Sequence, residues 1–154
     1  MVAHASLTGS DLHEPKGAAS ASSGQVYVAN GSGSGVWTTP ATSYITLCVT
    51  FKDISTAGTQ YVASPAAGTI KKIYLTLQGA ITGADSSVTF AIGGTSIDSS
   101  TITAAQSGST AGTTFSSTPS GHNTVSSGSV VSVASDGGST NTVDAQVVIL
   151  IQVT

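Results

Sequence analysis

Read from its far end, the chain alternates apolar and polar positions with a period of two. In residues 147–153, Val147, Ile149, Ile151 and Val153 share one face. Val148 and Leu150 make the other face apolar too, between Gln146 and Gln152. A strand apolar on both faces is a central one, with a core on one side and a second layer or subunit on the other. Residues 130–133 form another β-branched run, and the segment between the two is rich in Gly, Ser, Asn and Asp. β-branched side chains suit a pleated surface and Asp-Gly supplies turn chemistry. The pattern therefore predicts two strands joined by a loop, paired as antiparallel neighbours.

The same period recurs upstream. In residues 43–53, Ile45, Leu47, Val49 and Phe51 share a face opposite Tyr44, Thr46, Cys48 and Thr50. Residues 69–79 place Ile73, Leu75 and Leu77 inward and Lys72, Tyr74, Thr76 and Gln78 outward. Residues 86–92 turn Val88, Phe90 and Ile92 inward. Gly93-Gly94 then fits a tight hairpin turn into residues 95–97, because glycine tolerates positive φ. Tyr61-Val62, Ile102 and Phe115 mark weaker strands, and residues 116–129, with Pro119 and Gly121, read as one long loop. No long helical periodicity and no repeat of 20–50 residues is visible. Seven or eight short strands separated by turn signals predict an all-β fold, an antiparallel β-sandwich of jelly-roll-like type.

Residues 1–42 differ. Only residues 26–28 resemble a strand, Pro15 and Gly17 break the chain, and GSGSG at 31–35 is linker chemistry. Such a segment cannot bury enough surface to offset its ordering entropy. Leu7, Leu12, Val26, Tyr27, Val28, Val36 and Trp37 are nevertheless spaced through it like anchors. Both facts fit an extended arm that gains order on another surface. The expected division is an arm over 1–42 and a β-sandwich domain over 43–154.

Composition narrows the function classes. Charged residues are 7% of the 154, with no Arg and four Lys, and the formal net charge is −3. Nucleic-acid binding needs a basic footprint that this chain lacks. With 39% hydrophobic residues, wholesale disorder is not expected. The surface is instead neutral and rich in hydroxyls. The first residues carry no basic segment followed by a long apolar one, so no secretory signal is expected. The longest aliphatic run, residues 147–151, is far short of the roughly 20 residues of a membrane helix. Eight aromatics are too few for the girdles of a membrane barrel, so no membrane partner is expected. Cys48 is the single cysteine and reads as a small buried apolar residue within a strand.

Candidate chemistry is sparse. The histidines are His4, His13 and His122. A Ser-His-Asp triad drawn with His122 and Asp136 or Asp144 has no GxSxG elbow to support it. Spacing selects no carboxylate pair for glycoside hydrolysis. Asp85 and Asp136 sit in turn-like contexts, where Asp bonds nearby backbone N–H groups rather than calcium. No zinc pattern joins His4, His13 and Cys48, and GSGSG is not a phosphate cradle. The expectation is a non-enzymatic protein without cofactor or metal.

The arm sequence LTGSDLHEPKGAASASSGQVYVANGSGSGVW, residues 7–37, resembles a segment of tailed-bacteriophage virion proteins, the head-fibre, capsid-decoration and tail-fibre-like family. Leu7-Thr8, Leu12-His13-Glu14-Pro15-Lys16-Gly17, Val26-Tyr27-Val28 and Gly33-Ser34-Gly35 with Trp37 carry the resemblance. Residues 73–83, 88–94 and 130–154 are similar to the compact β-domain of such proteins. The resemblance implies a structural, homotrimeric virion protein attached through its N-terminal region. Its partner would be the major capsid protein, on the outer surface of the virion. The anchoring residues it points to are Leu7, Leu12, His13, Pro15, Lys16, Val26, Tyr27 and Trp37. The alternative within the same family is a tail-fibre module contacting host glycans, which a cluster of exposed aromatics would favour.

Overall fold

The structure is a computed structural model, and it describes residues 20–32 and 34–154. Two compact units divide between Thr42 and Ser43. In the first, β1 (Val26–Ala29) and β2 (Gly35–Thr38) form an antiparallel hairpin. The second is an all-β, antiparallel sandwich of two five-stranded sheets.

Its strands are β3 (Tyr44–Phe51), β4 (Gly58–Ala63), β5 (Gly68–Leu77), β6 (Ser86–Ile92), β7 (Thr95–Ser96), β8 (Ile102–Ala104), β9 (Thr114–Ser117), β10 (Thr124–Val125), β11 (Val130–Ser135) and β12 (Ala145–Val153). The first sheet runs β10-β5-β12-β3, with β9 also paired to β5. The second runs β4-β11-β6-β7, with β8 also paired to β6. From β3 to β6 the chain changes sheet at every step, and it does so again between β10, β11 and β12.

One hydrophobic cluster takes side chains from both sheets, as the two-residue alternation requires. The first sheet contributes Leu47, Val49 and Phe51 from β3, four aliphatics from β5, and Val147, Ile149 and Ile151 from β12. The second contributes Val88, Phe90, Ile102, Val131 and Val133. β12 lies between β5 and β3 and is the central strand its two apolar faces predict.

Several expectations need correction. The runs at 130–133 and 147–153 are not hairpin neighbours: β11 pairs with β4 and β6, and β12 with β3 and β5. Each run has a fully apolar inward set, and placing them in opposite sheets lets both sets line the same core. Residues 116–129 are not one loop. They hold the end of β9, a bridge between Asp98 and Gly121, and β10. Ile70 donates to the Asn123 carbonyl at 2.8 Å, and the Asn123 side chain donates back to the Ile70 carbonyl at 2.9 Å. That exchange ties the segment to β5.

Strict alternation also fails inside β5. Opposite Leu150 and Ile151 the register steps from Lys72 to Ile70, so Lys71 is an extra residue in a β-bulge. The bulge lets Ile70 and Ile73 both reach the core while Lys71 stays exposed. Gly93 and Gly94 have φ of 56° and 87°, the positive pair that a two-residue hairpin turn demands between β6 and β7.

Candidate docking surfaces

The hairpin is built from alternation and one ring pair. Tyr27 lies directly opposite Trp37, and their rings meet edge to face at 5.3 Å and 61°. Gly35 is on the same face, under the Tyr27 ring. A Cβ there would fall 2.7 Å from a ring carbon and 2.4 Å from the Val28 carbonyl oxygen. Only glycine lets the ring lie down. The other face carries Val26, Val28 and Val36, all exposed.

The linker reading of residues 31–35 is corrected here. Asn30, Gly31, Ser32 and Ser34 lie in the connection between β1 and β2. The Asn30 side-chain oxygen accepts from the Ser32 amide at 2.9 Å and the Ser34 amide at 3.3 Å, and the Asn30 amide donates to the Ser34 carbonyl. Residues 26–29 and 35–38 therefore pair with each other instead of running on as one extended segment. Of the expected anchors, Val26, Tyr27 and Trp37 come together on this hairpin, with Val26 on the face opposite the ring pair. Leu7, Leu12, His13, Pro15 and Lys16 lie outside the described residues.

The outer face of the first sheet is a second surface. Thr46, Leu150 and Lys72 form one row across it. Cys48, Val148, Tyr74 and Ser116 form the next, and Thr50, Gln146, Thr76 and Thr114 a third. Lys72 is the one charge in these rows, and its Nζ donates to Thr118 at 2.9 Å. Cys48 belongs to this face and is exposed, which corrects the buried reading. The physical reason is parity: Leu47, Val49 and Phe51 take the core side, so Cys48 must take the other.

Polar chemistry in the sandwich serves its loops. Asp136 accepts from the Ser87 and Gly138 amides, both at 2.9 Å, and closes the loop from β11 towards β12. Asp85 accepts from the Gln106 amide at 2.7 Å. Asp53 accepts from the Ser55 hydroxyl at 2.6 Å, the Ser55 amide at 2.9 Å and the Thr56 hydroxyl at 2.9 Å. The Ser55 hydroxyl first, then the Ser55 amide, hold the Asp53 carboxyl below its ordinary pKa. A shallow cleft of about 250 Å³ beside it is lined by Phe51, Lys52, Asp53, Thr56, Ala57, Gly58 and Gln60.

His122 meets neither Asp136 nor Asp144, the carboxylates drawn with it from the sequence. Its Nδ1 lies 2.9 Å from Asp98 Oδ2, with both side chains more than half exposed. The bridge between Asp98 and Gly121 brings them together across 24 residues of chain, a contact that spacing does not encode. Among the described residues, no group of three or more His, Cys, Asp or Glu is placed to hold a metal ion. Among them too, no helix is long and apolar enough to cross a membrane.

No protein-family model matches the chain, and no curated protein matches it. Among solved structures, the sandwich architecture recurs in a chain of the acidic stable capsid structure of Helicobacter pylori bacteriophage KHP30. The TM-score is 0.51 at 20% identity, covering 73% of this chain and 90% of that one. At that identity the likeness is one of fold.

Proposed function

We propose that this protein is a structural component of a tailed-bacteriophage virion, a decoration or head-fibre protein on the outer capsid surface. The observation that carries this reading is the fold likeness to a chain of a phage capsid, which spans nearly the whole of that chain. The strand order supports it. With sheets ordered β10/β9-β5-β12-β3 and β4-β11-β6-β7/β8, and the chain crossing between them at each step from β3 to β6 and from β10 to β12, the order supports a jelly-roll reading, a fold of capsid and lectin domains.

In this reading residues 1–42 attach to the major capsid protein and the sandwich projects outward. The hairpin suits attachment because a two-stranded ribbon is marginal alone. Its uncovered Val26, Val28 and Val36 gain from burial against a partner. The homotrimer implied by the family resemblance would use the near-neutral outer face of the first sheet, where Val148 and Leu150 are half-buried. The protein acts by binding, without catalysis.

The test is co-sedimentation with capsids lacking the protein. Removing residues 2–42 is expected to abolish binding, and removing residues 2–20 to weaken it severely, with the sandwich's melt nearly unchanged. Undiminished binding would overturn the attachment reading.

A further inference from the structure

The edges of the two sheets are treated very differently. Beyond β5, the first sheet ends in β9 and β10, only four and two residues long. The second sheet ends in the two-residue β7 on one side and the six-residue, Gly-initiated β4 on the other. β3 is the longest edge: eight residues, Tyr44–Phe51, with no described strand on its far side. Natural proteins blunt such edges with Lys, Pro or a bulge. β3 contains no charge and no Pro, and its register with β12 runs without a break from Tyr44 to Phe51.

The hydrogen-bond phase of that edge follows from one contact. Val153 donates to the Ser43 carbonyl at 2.9 Å, in the same register that pairs β12 with β3. In an antiparallel ladder hydrogen-bonded pairs alternate. Ile45, Leu47, Val49 and Phe51 therefore bond toward β12, and the amides and carbonyls of Tyr44, Thr46, Cys48 and Thr50 point to the free edge.

We propose that this edge pairs with the same edge of a second copy of the chain, antiparallel, about a two-fold axis at Leu47. That register sets Tyr44 opposite Thr50 and Thr46 opposite Cys48 of the other copy, so all four edge residues are satisfied reciprocally. It also keeps core-facing residues on the core side, as the period of two demands. No like charges oppose one another, because the outward side chains are Tyr, Thr and Cys. The two first sheets become one continuous ten-stranded sheet. This contact is two-fold and uses an edge, so it is separate from a three-fold contact through the sheet face and does not depend on capsid attachment.

The native cysteine makes the register readable. In the proposed pairing Cys48 of one copy is diagonal to Cys48 of the other, with Cα atoms about 7–8 Å apart. That exceeds the usual disulfide range. T46C places a cysteine directly opposite Cys48, at about 5.5 Å. The full-length variant under mild oxidation is expected to form a reducible covalent dimer at least roughly tenfold faster than wild type, T46C/C48S, or the collision control T89C/C48S. Sedimentation of the wild-type protein is expected to show self-association. T46K/C48K, which sets like charges across the seam at exposed positions, is expected to weaken it roughly tenfold or more with the melt retained. Equal cross-linking rates in all variants, or fastest cross-linking in wild type, overturns the register. Sedimentation insensitive to T46K/C48K overturns the edge pairing, including the case in which another protein's strand occupies the edge.

Discussion

The hairpin and the sandwich are made from the same alternation, yet one has a core and the other does not. Tyr27, Trp37 and Gly35 cover one another on one hairpin face, while Val26, Val28 and Val36 stay exposed on the other. In the sandwich the same kind of residue, as in Val131, Val133 and Val147, is wholly removed from water. The difference lies in layers. A single two-stranded ribbon has nothing to bury its second face against, whereas two stacked sheets bury one face of each. Local pattern makes a strand; a second layer makes it stable.

The largest test of this contrast is a cavity in the sandwich. Ile149→Ala, at a fully buried position of the central strand, should cost about 2–5 kcal/mol in chemical denaturation. A loss no greater than that of an exposed valine such as Val36→Ala would mean that the sandwich core contributes no more than the hairpin's open face. Next comes the loop that lets β11 and β12 occupy opposite sheets. Asp136→Ala leaves the exposed Ser87 and Gly138 amides to water and should cost about 1–2 kcal/mol in all. Asp136→Asn, which keeps an acceptor oxygen, should recover part of that loss.

A smaller effect separates the two units directly. Trp37 is the single tryptophan, so its emission reports on the hairpin and far-UV circular dichroism mostly on the sandwich. The emission change should precede the dichroism change during denaturation. Trp37→Ala removes a ring pair worth about 0.5–1.5 kcal/mol to the hairpin. It should move the sandwich's melt by no more than about 0.5 kcal/mol. Coincident transitions would mean that the two units unfold as one.

The smallest effect is a pH dependence confined to the sandwich. The folded-state pKa of Asp53 is lowered from 3.8, so its contribution is present above that value and lost as pH falls through the folded pKa. Wild type should therefore exceed Asp53→Asn in stability at neutral pH, and the gap should close in acid. A gap that widens in acid would reverse the assignment.

The strands and their faces are legible in the amino-acid sequence. Period-two alternation marks β3, β5, β6 and β12, and the twin apolar faces of residues 147–153 mark a central strand, because burial on a pleated sheet leaves that imprint directly. Gly93-Gly94 specified its turn through the φ values only glycine adopts cheaply. Which strands meet is settled by long-range packing instead. Whether β11 and β12 share a sheet depends on how apolar sets from distant segments best fill one core, and alternation is identical either way. The bulge at Lys71 is visible only against its partner strand. The meeting of His122 with Asp98 needed the 98–121 bridge, and the exposure of Cys48 followed from which face of β3 the other sheet covers. In each case the deciding energy lies between residues far apart in the chain, and a local pattern holds no record of it.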